Sequence, residues 1–77
     1  MSPQPELPVA TPERLARLEE HIQSRLTGRV HDLRLVLHEG GLVLRGHAHT
    51  YHAKQLAQHA VMGATNLPIW ANEIDVS

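Results

Sequence analysis

The sequence predicts an α+β domain, an αββαβ two-layer sandwich in which two helices cover one face of a three-stranded mixed sheet. Three observations lead to this prediction. Apolar residues recur at every third or fourth position before Gly28 and again after Thr50, which is the spacing of a helix face. From Asp32 and after Pro68 they recur at every second position, as in a strand with one buried face. The segment Glu39–Gly41 interrupts the first alternating stretch and predicts a hairpin turn.

The first helix is predicted to begin at Thr11, whose hydroxyl can cap it. Pro12 suits the first helical position because its missing N–H has no role there, and Glu13 adds an early negative charge. The inward stripe of this helix is Leu15, Leu18, Ile22 and Leu26. Gly28 is a natural left-handed terminator, so the helix is predicted to end near it.

The N-terminal segment 1–10 holds three of the five prolines, namely Pro3, Pro5 and Pro8. Such a composition favours an extended, mobile leader. The folded domain is therefore predicted to span residues 11–77.

The two strands of the hairpin are predicted to direct leucines towards the helices and mostly polar side chains away from them. The inward residues are Leu33, Leu35 and Leu37 on the first strand and Leu42, Leu44 and Ala48 on the second. The outward residues are Arg34, Val36 and His38 on the first strand and Val43, Arg45 and His47 on the second. This outward face is predicted to be uncovered.

Thr50 is predicted to cap the second helix, whose stripe of mainly small residues can lie close to a sheet. The stripe is Ala53, Leu56, Ala57, Ala60 and Val61. Gly63 is predicted to end this helix. Because a strand–helix–strand crossover normally makes its strands parallel and a hairpin is antiparallel, the sheet is expected to be mixed.

The last strand follows Pro68. Its alternation predicts that Trp70, Asn72, Ile74 and Val76 share one face. Trp70 is expected at the edge of the core, near Leu67 and Ile69, with an interface anchor as the alternative. Asn72 is expected to meet backbone or water, because a buried amide needs hydrogen-bond partners.

The order and spacing of these segments resemble the BON domain, a bacterial family. The resemblance covers roughly residues 13–76 and rests on "VLHEGGLVLRGHAHTYHAKQLAQHAV", residues 36–61, and "ANEIDV", residues 71–76. The matching positions are Glu39, Gly41, Leu42, Leu44, Arg45, Gly46, Thr50, Lys54, Asn72, Ile74 and Val76. The chain departs from the usual pattern at Val43, at Tyr51 and His52, and in the "MGATNLPIW" connection. The resemblance implies binding to phospholipid or membrane surfaces or to proteins of the cell envelope, and it implies no catalytic residues.

The composition excludes several classes of function. With no cysteine among 77 residues, a disulfide framework, a zinc ribbon and a thiol nucleophile are excluded. A net charge of -1 provides no positive field for a nucleic-acid backbone. Protonation of all seven histidines would raise the net charge to +6, so the charge is expected to be sensitive to pH between roughly 5 and 7. The basic G-x-x-G loop of KH-type folds is absent, and only Tyr51 and Trp70 could stack on bases. No nucleic-acid partner is predicted.

Catalysis is not predicted either. The sequence contains no P-loop, Gly-x-Ser-x-Gly or Gly-x-Gly-x-x-Gly motif, and Ser24 and Ser77 have no evident acid–base partners. No cofactor is predicted. The chain lacks the roughly 18 consecutive apolar residues of a membrane-spanning helix and has no signal-peptide pattern at its N-terminus. As written it is expected in the cytoplasm, or in the cell envelope if it is a piece of a longer protein.

The histidines of "RGHAHTYHAK" raise a metal hypothesis. His47 and His49 would lie on one side of a strand, and His52 on the first turn of the helix could approach them, giving three imidazoles for zinc, nickel or copper. The alternative is that they are exposed histidines at a strand–helix corner. No acidic residue lies nearby in sequence to complete or support such a site.

The leading hypothesis is a non-enzymatic binding module that contacts an anionic phospholipid surface or a partner protein through the uncovered sheet face. Its binding residues are predicted to be Arg34, Val36, Val43, Arg45 and His47. Arginines supply charge-assisted hydrogen bonds and valines supply apolar burial. The alternatives are a half-solvated sheet whose arginines pair with nearby carboxylates, a histidine-rich metal-binding domain, and an accessory domain that self-associates.

Overall fold

The computed structural model describes residues 12–77, so the predicted leader and the predicted cap Thr11 lie outside the described residues. Five elements follow one another: α1 (Pro12–Arg25), β1 (Val30–His38), β2 (Gly41–Ala48), α2 (Tyr51–Ala64) and β3 (Ile69–Val76). The sheet order is β1-β2-β3, with β1 antiparallel and β3 parallel to β2. The predicted αββαβ order and mixed three-stranded sheet are confirmed.

The core lies between the helices and one face of the sheet. Its buried apolar side chains are Ile22, Leu26, Val30, Leu33, Leu35, Leu42, Leu44, Ala48, Ala53, Ala57, Val61 and Ile74. Ala53 and Ala57 are small enough to bring α2 close to the strands, as the sequence predicts. Leu37, predicted to face inward, is 36% exposed, because it lies near the end of an edge strand.

Helix α1 covers the outer edge of β1 with two polar side chains. The Gln23 amide donates to Val30 O at 2.7 Å and accepts from Leu33 N–H at 2.9 Å. The Glu19 carboxylate accepts from Leu35 N–H at 3.0 Å. Backbone groups that an edge strand would otherwise present to another chain are therefore bonded within the molecule.

Strand β1 begins at Val30, two residues before the predicted start, and contains a bulge. Asp32 adopts φ 54, and the register with β2 shifts between His31 and Arg34. The extra residue interrupts the alternation, so Val30 and Leu33 both enter the core while His31 faces outward. Gly46 of β2, at φ +152, lies against this bulge.

The hairpin turn is tighter than predicted. Glu39 and Gly40 form a two-residue loop with φ 45 and φ 78, the positive values of a type I′ turn, and Gly41 already belongs to β2. At the end of α1, the helix stops at Arg25. Gly28 takes left-handed backbone at φ 84 in the turn that follows.

Helix α2 is capped as predicted, because the Thr50 hydroxyl accepts from Ala53 N–H at 3.0 Å. The prediction that Gly63 ends the helix is wrong by one residue. The helix continues to Ala64, and the chain becomes extended only at Thr65, whose N–H donates to Val61 O at 3.1 Å.

Strand β3 contains a second irregularity, which corrects the prediction for Trp70. The register shifts so that Leu42 pairs with Ile69 and Val43 with Ala71, leaving Trp70 as the extra residue. Trp70 therefore does not share a face with Asn72 and is 56% exposed.

Asn72 fulfils its prediction of meeting backbone. Its amide donates to Lys54 O at 3.0 Å and to Gln58 Oε1 at 3.3 Å, and its oxygen accepts from Ile74 N–H at 3.2 Å. It thus ties β3 to α2.

Candidate functional site

The candidate site is the open face, defined here as the side of the sheet opposite the helices. Four cross-strand rows make it up: His31, His47 and Asp75; Arg34, Arg45 and Glu73; Val36, Val43 and Ala71; and, at the hairpin end, His38, Gly41 and Trp70. All five predicted binding residues, Arg34, Val36, Val43, Arg45 and His47, lie on this face. The alternation of each strand away from its buried partners places them there.

The apolar part of the open face lies at the hairpin end. Val36 is 43% exposed, and Val43 and Ala71 beside it are half-buried. The Trp70 indole lies over Gly41 and meets the His38 ring edge-on, with 6.5 Å between the ring centroids. An exposed indole next to a row of small apolar side chains has the composition of an interface centre.

The charged part of the face is internally paired. Arg34 meets Glu19 at 3.3 Å, and Arg45 meets Glu73 at 3.2 Å. The two arginine side chains stay 70% and 63% exposed, so these pairs are solvated and each contributes at most about 1 kcal/mol to stability. Both arginines therefore pair with nearby carboxylates, and on the face itself their charge is balanced by Glu73 and Asp75.

The structure groups the histidines differently from the metal hypothesis. The His47 and His49 ring centroids lie 5.3 Å apart, and the third ring is His31 of β1, 5.6 Å from His49. His47 Nδ1 lies 3.6 Å from Asp75 Oδ2. His52 lies exposed on the first turn of α2. Within residues 12–77, no three His, Cys, Asp or Glu side chains are placed so as to hold a metal ion, and the metal hypothesis stays a prediction.

Sequence reasoning missed the contributions of β3 and of His31. Glu73 and Asp75 join the face because β3 pairs with β2 in parallel. The alternation of apolar residues within β3 does not predict which residues of β2 they lie beside. His31 would face inward if the alternation continued before Leu33. The Asp32 bulge reverses it, and a non-glycine residue at positive φ gives little warning in the sequence.

The Trp70 indole packs directly against Gly41, which predicts the effect of adding one methyl group at position 41. A Cβ at Gly41 would overlap the Trp70 indole and would lie 2.9 Å from Pro68 O. We expect Gly41→Ala to displace the indole and to lower the free energy of unfolding by about 1–2 kcal/mol. Tryptophan emission, with one Trp in the chain, reports the displacement, and urea unfolding measures the loss. An unchanged emission spectrum would contradict this contact.

No helix within residues 12–77 has both the length and the apolar character needed to cross a membrane. Comparison with known proteins yields no matching family model, no matching curated protein and no matching solved structure. Kinship with the BON family stays a prediction from the residues quoted above.

Proposed function

We propose that this chain is a non-enzymatic binding module that docks a partner protein on its open face. The observation that supports this most directly is the exposed Trp70 indole, one cross-strand row away from Val36, Val43 and Ala71, on a sheet face that no helix of residues 12–77 covers. Interface centres are enriched in aromatic residues and arginine, and they combine a desolvated apolar patch with a polar rim. The open face has that arrangement, with its ion pairs next to the apolar row.

The charge balance favours a protein over an anionic membrane. A membrane-binding surface gains from cations that exceed the acids around them. Here Arg45 already meets Glu73, and Arg34 already meets Glu19. Anionic phospholipid is the second candidate, because both guanidinium groups are largely exposed and retain unused N–H donors.

Site-specific photocrosslinking tests the protein-binding proposal. A benzoylphenylalanine at Val36 should give adducts with a protein in about tenfold higher yield than the same group at Gln55, an exposed position on α2. An excess of unlabelled wild-type chain should suppress an adduct with a different protein or should itself enter the adduct, and an excess of Trp70→Ala chain should do neither. Equal yields at the two positions, or equal effects of the two added chains, would refute the proposal.

Vesicle flotation tests the second candidate, binding to anionic phospholipid. Phosphatidylglycerol vesicles at low salt are expected not to retain the wild-type chain. If the vesicles retain the wild-type chain but not the Arg34→Ala/Arg45→Ala variant, the open face binds lipid rather than protein.

A further inference from the structure

We infer that the open face docks on the open face of a second copy of this chain, with a two-fold axis running along β2. This inference rests on the proposed function and names the partner. It is carried by the way charge is distributed across the three strands.

Cations and acids occupy opposite sides of the open face. Arg34 lies on the edge strand β1 and Arg45 on the central strand β2, whereas Glu73 and Asp75 lie on the other edge strand, β3. The face therefore presents an arginine on one edge strand, where Glu19 of α1 already meets it at 3.3 Å, and two carboxylates on the other edge strand. A polyanion would be repelled by the carboxylate edge.

A two-fold axis along β2 makes this pattern self-complementary. Such a rotation keeps each cross-strand row in place and lays β3 of one copy over β1 of the other. Arg34 then faces Glu73 of the second copy, His31 faces Asp75 of the second copy, and the valine row lies on its own counterpart. The two faces pack about 10 Å apart, a gap that arginine and glutamate together can span. Arg45 faces its equivalent near the axis, each neutralised by its own Glu73 at 3.2 Å.

Association through the strand edges is less favoured by this structure. The outer edge of β1 is bonded to Gln23 and Glu19 of α1, and on β3 the Asn72 side chain occupies the Ile74 N–H. A second copy that added at either edge would have to displace these bonds. Both edges therefore carry internal bonds that the open face does not, which favours the open face as the surface for a second copy.

The small area of the open face indicates how strongly two copies can associate. Three strands about 4.8 Å apart and about 27 Å long offer roughly 400 Å² per copy, or about 800 Å² in total. Stable interfaces usually bury about 1,200–2,000 Å². The dimer is therefore expected to be weak and transient.

Sedimentation equilibrium of the full chain tests the inference. From about 5 µM to about 500 µM, the wild-type mass should rise from 8.6 kDa towards twice that value. Arg34→Glu and Glu73→Arg should each weaken association at least about tenfold, because each creates two like-charge contacts across the axis. Arg25→Glu, on an exposed position of α1, should leave it unchanged.

The charge swap makes the test specific for this arrangement. An equimolar mixture of Arg34→Glu and Glu73→Arg chains should associate more tightly than either variant alone, and so should the double variant Arg34→Glu/Glu73→Arg, since the side chains at positions 34 and 73 that face each other are again of opposite sign. Circular dichroism verifies that each variant is folded. A mixture that stays as weak as the single variants, or a wild-type chain that is monomeric at about 500 µM, overturns the inference.

The two proposals fail separately. If the Val36 crosslinker captures a different protein while the chain sediments as a monomer, the docking face stands and the second copy is excluded. If neither experiment gives a specific contact, the proposed function falls as well.

Discussion

Gly46→Ala is expected to lower the free energy of unfolding by about 3 kcal/mol, and the melting temperature of a domain of this size by roughly 12–24 °C. Gly46 has φ +152, where side chains are strained, and an added Cβ would lie 3.0 Å from His31 O and 3.3 Å from Leu33 Cα. The neighbours are backbone atoms of the β1 bulge, so they cannot rotate away. Thermal and urea unfolding, followed by circular dichroism, measure the loss.

Gly63→Ala is the matched control. Gly63 lies inside α2, and a Cβ there would meet nothing within 4 Å. The substitution should stabilise the protein by about 0.5–1 kcal/mol, because alanine is the better helix former. A Gly46→Ala protein within about 0.5 kcal/mol of the wild type would show that the bulge does not approach β2 as closely as described.

Gln23→Leu is expected to lower the free energy of unfolding by about 2–3 kcal/mol. The substitution keeps the side-chain volume but removes both the donor to Val30 O and the acceptor for Leu33 N–H, which flank the bulge. Both backbone groups would then lack their partners next to the core. Urea unfolding measures the loss, and amide hydrogen exchange at Leu33 should accelerate relative to Leu35.

Gln23→Glu separates the contribution of the Gln23 acceptor from that of its donor. The carboxylate can still accept from Leu33 N–H, but its second oxygen cannot donate and would repel Val30 O, so hydrogen exchange at Leu33 should be less accelerated than in Gln23→Leu while stability still falls. Gln55→Leu, at an exposed position of α2, should change stability by less than about 0.5 kcal/mol. If Gln23→Leu is as mild as Gln55→Leu, α1 does not hold the edge of β1 through this amide.

Regular periodicity predicted the elements of the fold, and the irregular positions were missed. The leucine alternation of β1 and β2 and the Thr50 cap follow from local patterns, and both are found in the structure. The bulge at Asp32 and the irregularity at Trp70 each insert one residue, and one inserted residue reverses the face of everything before it. Trp70 was therefore assigned to the wrong side, and His31 was not recognised as part of the open face.

The candidate site was predicted where it depends on the hairpin. Arg34 and Arg45 are direct cross-strand partners because the tight turn fixes their register. Their carboxylate partners were out of reach of sequence reasoning. Glu19 comes from α1 and Glu73 from β3, so both pairings are set by tertiary packing.

The side-chain hydrogen bonds to the two edge strands also affect how this protein would resist fibril growth. Amyloid extends by templating new strands onto exposed main-chain amides, and short sheets rich in valine and leucine are good templates. Here α1 occupies one border through Glu19 and Gln23, and an asparagine interrupts the other at Ile74. Detachment of α1, rather than global unfolding, would be the first step to expose a seeding surface.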